Sequence, residues 1–292
     1  MTGKILKGIA GFYYVHGEDE NIYECKAKGI FRNKNVKPLV GDDVEFSVLD
    51  SVEMKGNIDL ILPRKNALVR PAVANVDQAL VLFSITHPEP NLNLLDRFLV
   101  MMEVQEVPVK ICFNKIDLAG NEKKMAFGEI YGAAGYPVYF TSTYDKQGIQ
   151  EVKDLVLGKT TVLAGPSGVG KSSLTNLLYP QADMETANIS EKIQRGKHTT
   201  RHSELFGMGR DTYLMDTPGF SSMYLEDLEC GRLKDYFPEF EPYEAGCRFL
   251  GCVHMGEKTC GVKDAVEEGK INRSRYENYR LLYQELKEKR RY

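Results

Sequence analysis

The chain has no apolar run that approaches the ~20 residues of a bilayer span, and its start, from Met1 to Lys7, has no apolar core of the kind a secretory leader carries. Membrane insertion and export are therefore not expected, and the cytoplasm is the expected compartment. It has no surplus of either charge: the formal net charge is −3, so whole-chain electrostatics do not mark a nucleic-acid binder and any basic surface must be local. It also lacks the evenly distributed cysteines of a disulfide framework. Of its six, Cys25, Cys112 and Cys230 are scattered, while Cys247, Cys252 and Cys260 crowd around His254. A length of 292 residues leaves room for two or three domains of ~100–200 residues each.

What the chain does contain is a complete phosphate-binding loop: Gly165, Pro166, Ser167, Gly168, Val169, Gly170, Lys171 and Ser172, followed by Ser173. Glycines at these places let backbone N–H groups close around phosphate oxygens, and the helix that follows aims its positive end at them. Lys171 is expected to reach the terminal phosphates and Ser172 to ligate Mg2+. Asn114, Lys115 and Asp117 form a guanine-reading tetrapeptide with Ile116 between them, and they lie before the loop instead of after it. A carboxylate accepts from both the ring N–H and the exocyclic amine of guanine, a donor pair adenine lacks, so Asp117 selects GTP over ATP. Asn114 bonds the opposite edge, and Lys115 lays its stem along the base. Asp216, Thr217, Pro218 and Gly219 end another apolar run, where an aspartate supports Mg2+ and a backbone N–H faces the γ-phosphate. Each motif alone has a bland reading as a surface loop or an ordinary turn; three of them, each at the end of an expected strand, point to one nucleotide site.

Organisation follows from periodicity. Residues 1–64 read as short alternating strands over 7–15, 22–31, 43–48 and 56–62, which suits a five-stranded OB-fold barrel of the kind that binds single-stranded or irregular RNA. Lys28, Arg32 and Lys34, with Phe31 among them, are a candidate RNA-contacting stretch unless they form only a solvated loop. Residues 65–222 alternate strands (79–85, 107–113, 137–141, 161–164) with helices (92–104, 121–134, 149–156, 172–179), a doubly wound, Rossmann-like α/β pattern. Thr141, Ser142 and Thr143 close the strand after the guanine motif, where a backbone N–H can meet the base carbonyl. Residues 185–203 are polar and aperiodic. They hold a threonine able to ligate Mg2+ in a switch, Thr200 or its neighbour Thr199. Residues 223–292 form a third, helical segment. In it Cys247, Cys252, His254 and Cys260 supply the four donors of a closed tetrahedral zinc site, the alternative being free buried thiols. The tyrosines of the final helical stretch are expected to pack against this module.

With those elements placed, the chain resembles the bacterial circularly permuted GTPases that act in small ribosomal subunit assembly, the RsgA family, also called YjeQ or YloQ. The resemblance rests on Arg70 to Gln78, the Asn114–Asp117 motif preceding Gly165–Ser172, Gly196 to His202, Asp216 to Phe220, and the Cys247/Cys252/His254/Cys260 cluster. It implies an N-terminal OB-fold, a permuted G domain and a C-terminal zinc-binding helical subdomain. It further implies GTP hydrolysis to GDP stimulated by the small subunit, contact with 16S rRNA, and a part in late maturation that includes release of another assembly factor. Nothing in the sequence suggests an obligate dimer, and a monomer is expected.

One more absence bears on chemistry. Many GTPases orient the attacking water with a glutamine after the Asp-x-x-Gly turn, but here Phe220 occupies that place, and an apolar ring cannot hold water. His198, two residues before Thr200, is the candidate in cis, and the resemblance points the same way; the alternative is a solvent-exposed loop histidine. Two other functional readings are a nucleotide-regulated RNA-binding scaffold with negligible turnover and a P-loop kinase; Asn114–Asp117 speaks against the kinase.

Overall fold

The computed structural model of the chain describes residues 1–29, 31, 37–69, 71–180, 204–209, 211–216, 225 and 228–289, with the side chain of Asp216 left aside. These fall into two compact units, residues 1–80 with 148–220 and residues 81–147 with 221–292.

The first unit opens with a closed barrel of five strands, β1 (Thr2–Ile9), β2 (Phe12–Gly17), β3 (Ile22–Ala27), β4 (Asp43–Asp50) and β5 (Lys55–Ile61), in the order β1-β2-β3-β5-β4. β3 and β5 run parallel; the other described ladders are antiparallel, and β1 pairs with β4 to close the ring. Alternate residues point inward, so Ile5, Val15, Tyr23, Cys25, Val44, Phe46 and Ile58 make the core. The sequence pattern suggested one strand over residues 7–15. Instead the chain reverses at Ala10 and Gly11, both at positive φ (50° and 88°), as the two central positions of a tight hairpin require. Within the candidate RNA-contacting stretch, Phe31 belongs to the barrel core and Lys28 pairs with Asp59 at 2.6 Å. Arg32 and Lys34 lie outside the described residues.

After the barrel, β6 (Ala67–Leu68) and β7 (Val73–Ala74) form a small antiparallel pair. This linker is tied to the barrel by Arg64, which donates to the buried carboxylate of Asp42 at 2.6 and 2.8 Å, and by Asn75, which donates to the Gly41 carbonyl at 3.1 Å. Gly41 sits at φ +88°, and a Cβ there would meet the Ala74 carbonyl oxygen at 2.2 Å, so only glycine admits the linker this closely. Strand β8 (Gln78–Ser84) crosses from the first unit into the second.

In the first unit, β8 is followed in sheet order by β11 (Thr160–Ala164), β13 (Tyr213–Asp216) and β12 (Leu205–Gly207), with helices α3 (Ile149–Val156) and α4 (Lys171–Leu178). β11 and β13 are parallel, from Thr160 opposite Tyr213 to Leu163 opposite Asp216, and β12 is antiparallel to β13. Gln78 donates to Thr161 and to the Leu155 carbonyl, stitching the start of β8 into this half.

In the second unit, β8 is followed by β9 (Val109–Asn114) and the parallel β10 (Val138–Phe140), with helices α1 (Leu92–Val104) and α2 (Asn121–Ala133). Asn91 caps α1 by accepting from Leu94 N–H. Phe113 on β9 stacks on Phe127 of α2 and Phe140 of β10. The C-terminal module adds 3-10 helices over Cys230–Tyr236 and Pro238–Gly246, then α5 (Gly261–Glu267) and α6 (Arg273–Lys289). Its core, with Leu233, Phe237, Phe240, Tyr279 and Leu282, also takes in Val100 of α1. At the seam Arg275 of α6 is fully enclosed. It donates to Glu239 at 2.7 and 3.1 Å and to Asp96 of α1 at 2.6 Å, and lies over the rings of Phe237, Tyr131 and Tyr136. Asn278 donates to the other oxygen of Asp96, and Arg97 makes a two-pronged pair with Glu285.

Candidate nucleotide and metal sites

The phosphate loop starts where β11 ends, buried, at Ala164. Gly165 and Gly170 adopt φ of 145° and 99°, conformations that side-chain-bearing residues rarely adopt, and Gly170 caps α4. The loop therefore opens onto a helix N-terminus that begins with Lys171, Ser172 and Ser173, the arrangement in which N–H groups gather around an anion. Lys171 Nζ donates to the carbonyls of Gly165 and Pro166 at 2.8 Å each, which places its charge over the mouth of the loop. Val169 is buried beneath, whereas Ser167 and Gly168 face outward.

The base-reading motif is built in the second unit at the end of β9. Asn114 is wholly buried and held on both sides: its Oδ1 accepts from Thr141 Oγ1 at 3.2 Å and Thr143 N–H at 3.1 Å, and its Nδ2 donates to Thr143 Oγ1. Lys115 takes a left-handed conformation (φ 64°), which turns the chain into the 3-10 helix Ile116–Leu118, and its ammonium donates to the His87 carbonyl at 2.6 Å. Asp117 Oδ1 accepts from the Ser142 hydroxyl at 2.7 Å. The backbone N–H groups of Thr141, Ser142 and Thr143 are all engaged, with Phe113, Gln147 and Asn114 respectively. Ser142 thus meets the motif through its hydroxyl, a contact that spacing alone did not reveal.

Asp216 closes β13 opposite Leu163, one residue short of the end of β11, so the strand that carries it runs beside the strand that feeds the phosphate loop. Thr217 to Phe220, including Gly219, lie outside the described residues, as do His198, Thr199 and Thr200 of the expected switch and Arg70 of the linker.

The four expected zinc ligands converge. Their donor atoms all lie within 4.8 Å of one another, with Cys247 Sγ to His254 Nδ1 at 3.6 Å, His254 Nδ1 to Cys260 Sγ at 3.3 Å and Cys247 Sγ to Cys260 Sγ at 3.9 Å. Tetrahedral zinc with bonds of ~2.3 Å to sulfur and ~2.05 Å to nitrogen requires edges of ~3.8 and ~3.6 Å, so the donor set fits that ion. Burial pushes the Cys252 thiol up to about 12 and raises Cys260, so thiolates here need a cation as counter-charge; burial also lowers His254, keeping the imidazole neutral and able to donate a lone pair. Glu244, itself paired with Lys234 at 2.7 Å, meets His254 Nε2 at 3.1 Å and orients the ring. Tyr276 and Tyr279 donate to the carbonyls of His254 and Val253, so the final helix does pack its tyrosines against the cluster.

Comparison with known proteins agrees with this geometry. The family model described as RsgA GTPase matches residues 61–226, and that described as RsgA N-terminal domain matches residues 2–56. The chain is 56% identical to the small ribosomal subunit biogenesis GTPase RsgA of Agathobacter rectalis, with all of both chains covered. It is 51% identical to the protein of the same name from Alkaliphilus metalliredigens, with 99% of each covered. Among solved structures it is similar to YloQ, a circularly permuted GTPase (37% identity, TM-score 0.81, 98% of this chain and 95% of that one), and to YjeQ from Thermotoga maritima (36%, 0.83, 98% of each).

Proposed function

The chain belongs to the RsgA family of circularly permuted GTPases and is a GTP hydrolase, and on that premise we propose that it turns over GTP when it meets the small ribosomal subunit, assisting the late maturation of that subunit. The observation that carries this reading is that one chain holds, in the permuted order, a built Asn114–Asp117 loop and a built phosphate loop. Asp117, held by Ser142, accepts from the guanine edge, Asn114 holds the reader loop, and Gly165 to Ser173 cradle the phosphates, with Lys171 on the terminal ones. Ser172 and Thr200, supported by Asp216, would hold magnesium, which when bound would neutralise charge on the phosphates. His198 orients the attacking water or takes its proton, since Phe220 cannot, and Gly219 offers a backbone N–H to the γ-phosphate. Cys247, Cys252, His254 and Cys260 would hold zinc, which would serve as a structural ion.

In this reading residues 1–64 are the barrel that meets 16S rRNA, 65–222 the permuted G domain and 223–292 the zinc module. The protein acts as a cytoplasmic monomer and promotes release of other assembly factors. No helix among the described residues is long and apolar enough to cross a membrane. The test is multiple-turnover phosphate release from GTP with and without purified small subunits. A large stimulation that His198→Ala abolishes without loss of nucleotide binding is the expected result; no turnover in either condition would leave only a nucleotide-regulated scaffold. Lys171→Ala is expected to impair nucleotide handling itself, seen as weakened binding of a fluorescent GTP analogue.

A further inference from the structure

Strand β13 delivers Asp216, and it is held from the barrel side by contacts that the motifs do not account for. Its first residue, Tyr213, is buried, and its hydroxyl shares a 2.9 Å hydrogen bond with Nδ1 of His16 on β2. The His16 ring meets the Tyr213 ring edge-on at 5.8 Å, and the Lys4 ammonium of β1 lies 5.5 Å from the centre of that ring. One residue before β12, Glu204 forms an antiparallel bridge with Lys7 of β1, reinforced by their side-chain ion pair at 3.3 Å. The barrel therefore grips both strands of the β12–β13 hairpin. In sequence this hairpin runs between the two expected switches, with Gly196–His202 entering it and Asp216–Phe220 leaving it.

The grip differs in kind from the rest of the barrel's attachment. The linker is fixed by the pair of Arg64 with the buried carboxylate of Asp42 and by the close approach at Gly41. The hairpin seam is polar, and a cleft of about 680 Å³ opens along it, lined by Lys4, His16, Glu18, Asp77, Asp211 and Tyr213 among others. Polar, partly wet contacts of this sort permit small displacements that an apolar core resists. Around Tyr213 the hairpin is itself tied down by hydrogen bonds. Tyr213 N–H donates to Lys159 O, Met208 N–H to Thr212 O and Gly158 N–H to Thr212 Oγ1, and the parallel ladder to β11 continues to Leu163 opposite Asp216.

We infer that Tyr213 is a positioning residue for hydrolysis: through His16, Lys4 and Lys7 the barrel sets where β13 presents Asp216, so that what the barrel holds is felt at the phosphates. The inference rests on the proposed function, in which the barrel meets RNA and Asp216 serves the nucleotide. Coupling of this sort is reciprocal, so exchanging GTP for GDP alters the barrel as well.

Two measurements on the full chain test it. The first needs no ribosome: amide hydrogen exchange of β1 and β2, compared between a non-hydrolysable GTP analogue and GDP. The wild type is expected to show different protection in the two forms, and Tyr213→Phe, which removes one hydroxyl and keeps the ring, is expected to lose most of that difference. The second is turnover on small subunits. Tyr213→Phe and Glu204→Gln are expected to keep basal turnover, the KM for GTP and subunit affinity, while the stimulated kcat falls about fivefold, the weight of one hydrogen bond. Equal exchange in both forms of the wild type would overturn the inference. So would an unchanged stimulated kcat in both variants, or a drop of the same factor in basal and stimulated rates, which marks a merely structural role. A wild type that small subunits fail to stimulate counts against the proposed function, and the exchange comparison still decides the coupling.

Discussion

At the scale of single residues, the proposed function makes nucleotide choice depend on how firmly the Asp117 carboxylate is aimed. Asp117 stood out in the sequence because a carboxylate at the end of an apolar strand, three residues after an asparagine, matches the chemistry of guanine. Ser142 was legible only as a neighbour in sequence; that its hydroxyl, and not its N–H, serves the motif depends on a turn in which Gln147 takes the N–H. Removing that hydroxyl frees the carboxylate to rotate. Ser142→Ala is therefore expected to weaken GDP binding about tenfold, the loss typical of a hydrogen bond to a charged group, measured by titration calorimetry. Asp117→Asn tests a different property: it is expected to move preference from guanine to xanthine nucleotides, and unchanged selectivity in a competition assay would disprove the pairing. Glu244 gave no signal in the sequence, since nothing in its spacing connects it to His254; only the fold of Pro238–Gly246 brings it to the ring.

At the scale of elements, periodicity located the longer helices and most of the strands, but not the short strands β6, β7 and β12 or the 3-10 helices over Cys230–Tyr236 and Pro238–Gly246. It failed where a turn interrupts alternation without a break in apolar pattern, as at Ala10 and Gly11, and where a basic neighbourhood masked a core residue, as at Phe31. What periodicity could not show is that α1 and α6 are joined by charges. Arg275 is enclosed with two carboxylates, and its removal leaves them uncompensated in a low-dielectric interior, so Arg275→Met is expected to destabilise the chain by roughly 3–5 kcal/mol, seen as a lowered midpoint in urea. Arg97 and Glu285 form the half-exposed counterpart. The paired hydrogen bonds from Arg97 hold the Glu285 carboxyl at about 2. A depressed carboxylate contributes stability above its unfolded value of about 4.3 and loses it as pH falls toward the folded one. The stability gap between wild type and Glu285→Gln is therefore expected to be full at neutral pH and to close between about pH 4.5 and 2; a gap independent of pH would show that the ion pair is not its source.

At the scale of the whole molecule, the permuted order of motifs was visible in the sequence, whereas the grouping of segments into units was not, because residues 81–147 and 221–292 share a core only after the intervening chain has folded elsewhere. The Cys247/Cys252/His254/Cys260 cluster belongs to the second of these units. Chelation of the metal is expected to lower the thermal midpoint of the intact protein and release about one zinc per chain, as the Cys3His set requires; a full metal-free melting curve superimposable on the loaded one would show that the ion contributes nothing to stability. The Asp96–Arg275 contact has a further bearing on how the protein is born. Synthesis runs from α1 to α6, so the nascent Asp96 carboxylate stays hydrated, and the apolar flank of α1 around Val100 stays uncovered, until α6 has been made. The unit that carries Asn114–Asp117 thus completes its core only once α6 is available, and a chain stalled before Arg275 would present an unfinished, sticky helix for chaperones to hold.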